Sequence, residues 1–304
     1  MLRARSFVLI GALIAPLIVG AQGTDATTIP IDLSTQRPVI DAYINGDGPF
    51  KFVVDTGASQ TMVSADLAER LRLPVEGTVM VTAPNSSGAF RAQVHRIKEL
   101  RVGDLKFFDV KATSLMDRGF LASLQADGII SASDFEDYLV TLDYRHKQIR
   151  IEPGHLPDAD GQQVFDYELQ HLIPGVTFEV GGKPVFFHLD TGSPFYVALP
   201  GTMLTSADYE QIPHKVGTAG TVTGGFSVYQ GQLAEDVTFG KYVLEKPNVQ
   251  ILDQMPYGNL GYLFFRDYLV TFDYTEMRVK LEFWRDAETK PKGEKASIHG
   301  SGRP

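Results

Sequence analysis

The segment "FVVDTGASQ", residues 52–60, recurs in altered form as "FHLDTGSPF", residues 187–195. Each copy places an Asp-Thr-Gly tripeptide directly after an apolar run that is typical of a β-strand. Glycine lets the chain turn sharply, so we expect Asp55 and Asp190 to lie at tight turns. One Asp-Thr-Gly is a weak signal, expected about once in ten chains of this length from ordinary composition. Two copies at equivalent places in a repeat are far more specific.

Two further pairs of segments indicate that the whole chain is duplicated. "DYLVTLDYRHKQIRI", residues 137–151, matches "DYLVTFDYTEMRVKL", residues 267–281. "ELRVGDLKFFDVKA", residues 99–112, matches "DVTFGKYVLEKPNV", residues 236–249. The three pairs follow the same order and lie 130 to 137 residues apart. Such a repeat predicts two homologous lobes.

The lobes are predicted to be mainly β. Apolar residues alternate or cluster in short runs between turn residues, the pattern of β-strands. We expect an N-terminal lobe at 28–151, a linker at 152–163, a C-terminal lobe at 164–285 and a disordered tail at 286–304. One helix is predicted within residues 64–73, where the first serine can cap an apolar stripe.

The N-terminus has the pattern of a secretory signal peptide. Arg3 and Arg5 precede the apolar run 7–20, and small residues follow it. The run is shorter than a membrane span requires, although an uncleaved anchor is the alternative. We therefore predict a signal peptide at 1–21, a mature chain that starts near Gln22, periplasmic or secreted localisation, and no stable membrane insertion after cleavage.

Composition excludes several functions. The net charge of −9 argues against nucleic acid as a partner, and removal of the signal peptide makes the charge more negative. The chain has no cysteine, so thiol catalysis and zinc–thiolate sites are excluded. The seven histidines show none of the spacings of common metal sites. We expect no cofactor and no metal.

Two adjacent carboxyl groups would form an acid–base pair. At a separation of about 3 Å and an effective dielectric of about 20, two carboxylates repel by roughly 5 kcal/mol. Asp55 and Asp190 would therefore share one proton over a wide pH range, as in the aspartic protease dyads. The ionised aspartate can take a proton from water while the protonated one polarises a carbonyl group.

Neighbouring residues are predicted to support this pair. The threonines offer hydroxyls that can hydrogen-bond across a two-fold contact, and the glycines allow the turn. Ser193 follows the second tripeptide, whereas the first copy has an alanine there. We expect the Ser193 hydroxyl to donate to Asp190, which would make Asp190 the base and Asp55 the acid. The predicted support residues are Thr56, Gly57, Thr191, Gly192 and Ser193.

The segment "FKFVVDTGASQTMVSADLAERLRL", residues 50–73, resembles the retropepsin-like aspartic proteases of bacteria. The two-lobed whole, over roughly residues 30–285, resembles a pepsin-type arrangement of two such lobes in one chain. This resemblance implies a cleft between two β lobes, Asp55 and Asp190 as the catalytic pair, and hydrolysis of peptide or protein substrates without a cofactor. Because one chain contains both aspartates, we expect an active monomer.

Other marks of the family are present. "DGIIS", residues 127–131, and "GNLG", residues 258–261, stand where a hydrophobic-hydrophobic-glycine segment supports each catalytic turn. Serine replaces the glycine in the first copy, and asparagine replaces a hydrophobic residue in the second. Glycine-containing segments at 82–93 and 218–230 stand where the family has hairpin flaps over its cleft.

Three functions remain open at the level of sequence. The first is a secreted or periplasmic aspartic endopeptidase. The second is a non-catalytic module that keeps the fold and binds a peptide or protein. The third is a hydrolase of another carbonyl-containing substrate, or a protease restricted to one partner. Both tripeptides are complete, which favours an enzyme over a binding module.

Overall fold

The computed structural model describes most of the 304-residue chain. The predicted signal peptide and the tips of both predicted flaps lie outside the described residues. The described ranges are 26–82, 89–116, 118–221, 224–253, 255–284 and 297–298.

The first half of the chain is built almost entirely from strands. Its elements are β1 (Thr27–Pro30), β2 (Val39–Ile44), β3 (Asp47–Asp55), β4 (Met62–Ser64), α1 (Ala65–Arg70), β5 (Val75–Thr82), β6 (Ala89–Val102), β7 (Leu105–Leu115), α2 (Arg118–Ser123), β8 (Gly128–Ser131), a 3₁₀ turn (Ala132–Phe135), β9 (Leu139–Asp143) and β10 (Gln148–Glu152).

The second half repeats this plan. Its elements are β11 (Val164–Asp166), β12 (Glu168–Gln170), β13 (Ile173–Val180), β14 (Lys183–Leu189), β15 (Val197–Pro200), a 3₁₀ turn (Ser206–Asp208), β16 (Tyr209–Thr221), β17 (Gly224–Leu233), β18 (Val237–Phe239), β19 (Tyr242–Leu244), β20 (Asn248–Leu252), β21 (Gly258–Leu260), α3 (Tyr262–Phe265), β22 (Tyr268–Asp273), β23 (Arg278–Phe283) and β24 (Ser297–Ile298). The prediction of a mainly β protein with two homologous lobes is confirmed.

Each lobe has its own sheet. In the first lobe the strand order is β2-β3-β8-β4-β7-β6-β5, and a further pairing of β2 with β6 curls the sheet towards a barrel. In the second lobe the order is β16-β17-β20-β15-β21-β14-β13-β18-β19-β24, with β12 on β13. The pairing of β3 with β8 and that of β14 with β21 are both parallel and occupy equivalent places in the two lobes.

A third sheet joins the lobes. Its strand order is β1-β10-β9-β22-β23-β11, so three strands come from each half of the chain. The central strands β9 and β22 are antiparallel, with Thr141 directly opposite Thr271. Their hydroxyl oxygens lie 3.0 Å apart, which places the approximate two-fold axis of the repeat between two equivalent residues.

The predicted helix after the first acidic turn is present as α1. The Ser64 hydroxyl accepts a hydrogen bond from the backbone N–H of Leu67, as expected of an N-cap. The corresponding part of the second lobe has only the 3₁₀ turn Ser206–Asp208 before the chain enters β16. Within the described ranges, none of the helices has both the length and the apolar character that a membrane crossing requires.

Candidate active site

The buried C-terminal ends of β3 and β14 position both predicted aspartates. β3 ends at Asp55, and β14 ends one residue before Asp190. Val54 and Leu189, which precede the two aspartates, are almost fully buried. The strand ends are therefore fixed by packing in both lobes, and each acidic turn begins from a rigid base.

The two acidic turns face each other at close range. A methyl group added to Gly57 would lie 2.5 Å from Oδ1 of Asp190, and one added to Gly192 would lie 2.6 Å from Oδ1 of Asp55. Neither glycine has a positive φ. Both glycines lie in turns, and each is needed because the opposite carboxyl group packs against its Cα atom, where a side chain would not fit.

Four hydrogen bonds of the hydroxyl groups of Thr56 and Thr191 hold the turns together. The Thr191 hydroxyl donates to the Val54 carbonyl at 2.8 Å and accepts from the Thr56 N–H at 3.0 Å. The Thr56 hydroxyl donates to the Leu189 carbonyl at 2.6 Å and accepts from the Thr191 N–H at 3.0 Å. Both threonines are buried, so these bonds replace contacts with water at the lobe junction.

The two carboxyl groups form a hydrogen-bonded pair. Burial, together with the charge of Asp190, raises the pKa of Asp55 to about 8, although the N–H of Gly57 donates to its Oδ1 at 2.7 Å. Burial also raises the pKa of Asp190, opposed by a hydrogen bond from Asn259 and the charge of Arg37. Raised pKa values for both groups are expected when two carboxyl groups share one buried site.

Asn259 was not predicted as a site residue. Its Nδ2 atom donates to Oδ2 of Asp190 at 2.8 Å, and its side chain is buried in the centre of the second sheet. The sequence did contain a signal, because an asparagine stands where the family has a hydrophobic residue. The chemical meaning of that departure required the position of the amide group.

Arg37 was also missed. Its Nε atom donates to the Gly192 carbonyl at 2.6 Å, and its Nη1 atom donates to the Thr35 carbonyl at 3.0 Å. Burial lowers the pKa of Arg37, while the charges of Asp190 and Asp55 raise it. A positive charge thus lies beside the dyad, on a segment that no sequence pattern connected with the acidic turns.

The expected role of Ser193 is wrong. Its hydroxyl accepts a hydrogen bond from the Phe195 N–H at 3.3 Å and forms none with Asp190. The equivalent hydroxyl of the first lobe comes from Ser131, which donates to the Ala58 carbonyl at 2.7 Å. The first lobe thus has Ala58 after the acidic turn and Ser131 on the supporting strand, whereas the second lobe has Ser193 after the turn and Gly261 after the supporting strand.

The two predicted flap hairpins contact the neighbourhood of the dyad. Phe90, at the start of β6, packs against an apolar cluster that includes Ala58. In the second lobe, Phe226 of β17 lies 6.5 Å from Phe195, measured between ring centroids. Each predicted flap hairpin therefore packs an apolar side chain against residues that follow the acidic turn of its own lobe.

Two lobes that each contribute one Asp-Thr-Gly turn to a shared carboxyl pair define a two-lobed acid-protease architecture. A family model described as aspartyl protease matches residues 40–133 and 176–264, more than half of the chain, and the chain belongs to this family. No curated protein matches it. Among the described residues, no group of three or more His, Cys, Asp or Glu side chains could hold a metal ion.

Proposed function

We propose that the protein is an aspartic endopeptidase in which Asp55 and Asp190 share one proton and hydrolyse peptide bonds through an activated water. The observation that best supports this function is the contact of the two acidic turns, with each carboxyl group against the glycine of the other turn. Such a contact keeps two carboxyl groups adjacent although their charges repel, and a turn with a purely structural role does not require this repulsion.

In the proposed reaction, ionised Asp190 accepts a proton from the water as its oxygen attacks the substrate carbonyl carbon. Protonated Asp55 donates a hydrogen bond to the carbonyl oxygen and so stabilises the negative charge that develops there. The raised pKa of Asp55, about 8, keeps this proton in place at neutral pH. The dyad then returns a proton to the leaving amine.

The substrate is a peptide or protein segment in an extended conformation. Phe90 packs with Ala58, which follows the first acidic turn, and Phe226 packs with Phe195, which follows the second. We expect apolar substrate side chains to occupy these two places, because burying a large apolar side chain contributes about 1.5–3 kcal/mol. The flap hairpins would close over the bound segment.

The enzyme acts outside the cytoplasm and as a monomer in this proposal. Residues 1–21 have the charge and hydropathy pattern of a signal peptide, and each chain contributes both aspartates. N-terminal sequencing of the native protein is expected to give a start near Gln22. Recovery of intact Met1 in the cytoplasm, or activity that rises with the square of the enzyme concentration, would contradict these two points.

The test is digestion of a diverse peptide pool by the purified mature chain between pH 3 and 8. Wild type is expected to cleave, while Asp55→Asn and Asp190→Asn are expected to lose activity by a factor of about 10²–10⁴, since each removes half of the acid–base pair. Cleavage that persists in either variant refutes the dyad mechanism. Binding of peptides without cleavage by wild type would instead favour the non-catalytic module.

A further inference from the structure

The two aspartates have different hydrogen-bond partners. Asp55 receives the N–H of Gly57 at 2.7 Å, and Asp190 receives the N–H of Gly192. Asp190 alone receives a further donor, Nδ2 of Asn259 at 2.8 Å. Each aspartate therefore accepts one backbone hydrogen bond, but only Asp190 also accepts a hydrogen bond from a neutral side chain.

The position of Asn259 in the repeat shows that this difference belongs to one lobe. In the second lobe Asn259 lies beside His188 in the parallel pairing of β21 with β14. In the first lobe the equivalent pairing of β8 with β3 places Ile129 beside Val53. The same backbone site thus holds an amide under Asp190 and an apolar side chain under Asp55.

The amide is held in a fixed environment. Asn259 is 3% exposed and lies on a strand that is paired on both sides, with His188 of β14 and Ala198 of β15. Its Oδ1 atom has no hydrogen-bond partner among the described residues, so the contact with Asp190 is its one side-chain hydrogen bond there. A buried polar side chain with one partner is costly to keep for stability alone.

We propose that Asn259 is a positioning residue that assigns the base role to Asp190 and leaves the shared proton on Asp55. An N–H donor stabilises an ionised oxygen more than a protonated one, since hydrogen bonds to charged groups contribute more than those between neutral groups. Ile129 offers no such donor to Asp55. The dyad therefore enters each reaction cycle with its proton already on the aspartate that must polarise the carbonyl.

Other groups near the dyad do not create this asymmetry. Arg37 acts on both aspartates. His188 is neutral above about pH 4, because burial, assisted by the charge of His171, lowers its pKa to about 4. Tyr144 stays protonated because burial raises its pKa well above the usual value. The titratable and charged groups that act on Asp190 are Asp55, Arg37 and Tyr144. Tyr274 acts on Asp55, and burial raises its pKa well above the usual value, so it stays protonated and uncharged.

The experiment compares pH–rate profiles of wild type and Asn259→Leu. The acid limb of such a profile is the range in which kcat/KM falls as pH decreases. Loss of the donor is expected to move this limb to higher pH by about one to two units, which lowers kcat/KM about 10- to 100-fold at a pH below the midpoint of the wild-type limb. The plateau is expected to change less. An acid limb at the wild-type pH in Asn259→Leu overturns the proposal.

Two further variants separate positioning from packing. Ile129→Asn added to Asn259→Leu offers the amide to the other aspartate, so we expect the acid limb to return towards the wild-type pH. Asn259→Asp keeps the size of the side chain but replaces the donor by a carboxyl group, so we expect a limb at least as far displaced as in Asn259→Leu. A packing role predicts no return in the first variant and a near-normal limb in the second.

Because this assignment rests on the proposed function, one readout is independent of cleavage. A carboxyl group with a raised pKa in the folded state loses stabilisation as pH rises from its unfolded to its folded pKa. Thermal unfolding is measured between pH 3 and 9. The decline of stability with rising pH is expected to extend to higher pH in Asn259→Leu than in wild type. If wild type cleaves nothing, this profile still decides the inference, and identical profiles reject it.

Discussion

Thr191→Val tests how firmly the two acidic turns are held together. The substitution keeps the shape of the side chain and removes the hydroxyl that bonds Val54 and Thr56 of the other lobe. The buried Thr56 N–H loses its acceptor, which costs about 1–3 kcal/mol, and the lost bond to Val54 costs about 1 kcal/mol more. We therefore expect the free energy of unfolding to fall by roughly 2–4 kcal/mol.

The single tryptophan, Trp284, is a natural probe for this measurement. It follows β23 in the second half of the chain, and its ring contacts Arg145 at 5.8 Å and His146 at 5.4 Å from the first half. Urea unfolding followed by its fluorescence therefore reports separation of the lobes as well as loss of structure.

Thr275→Val is the matched control. Thr275 also donates its hydroxyl across the lobes, to the Glu136 carbonyl at 2.8 Å, but it is exposed to solvent. Its substitution is expected to change stability by no more than about 0.5 kcal/mol. If Thr191→Val costs no more than this control, the threonine bonds do not hold the turns together. Thr191→Ser, which keeps the hydroxyl, is expected to recover most of the loss.

Three further outcomes are expected. Ser193→Ala leaves the acid limb of the pH–rate profile unchanged and lowers the unfolding free energy by about 1 kcal/mol, since its hydroxyl bonds Phe195 and not the dyad; a shifted limb would restore the role first expected of Ser193. Arg37→Leu moves the acid limb to higher pH, because the positive charge of Arg37 lowers the pKa of both aspartates in the wild type and its removal lets both values rise, whereas Arg37→Lys moves the limb less. Asp134→Asn stabilises the protein at pH 7 by roughly 2–3 kcal/mol and hardly at pH 4, because burial raises the pKa of Asp134 to about 6 and its ionisation above that pH opposes folding; equal thermal shifts at both pH values would contradict this.

The repeat made the fold and the dyad predictable. Asp55 and Asp190 could be found because each tripeptide ends a strand in both copies, and the fold brings equivalent strand ends together about the axis between Thr141 and Thr271. The hydroxyl bonds of Thr56 could be anticipated for the same reason. Symmetry determines which residues meet when both copies keep them.

The residues that break the symmetry could not be assigned from sequence. Ser193 and the asparagine at 259 both differ from their counterparts, and only the coordinates show which one reaches Asp190. Arg37 lies 155 residues before Gly192 along the chain, and it reaches the Gly192 carbonyl from a loop that precedes β2. Side-chain direction within a turn depends on packing across lobes, which periodicity does not record.

The shared six-stranded sheet also determines what a separated lobe would expose. β9 and β22 lie at its centre, and each is the other's hydrogen-bonding neighbour. If the chain were cut in the linker and the halves parted, β9 would become a free edge bearing Val140 and Leu142, side chains that are fully buried in the intact protein. Such an edge pairs readily with another strand. A separated first lobe is therefore expected to dimerise, with β9 of one copy paired to β9 of the other in place of the β9–β22 pairing of the intact chain.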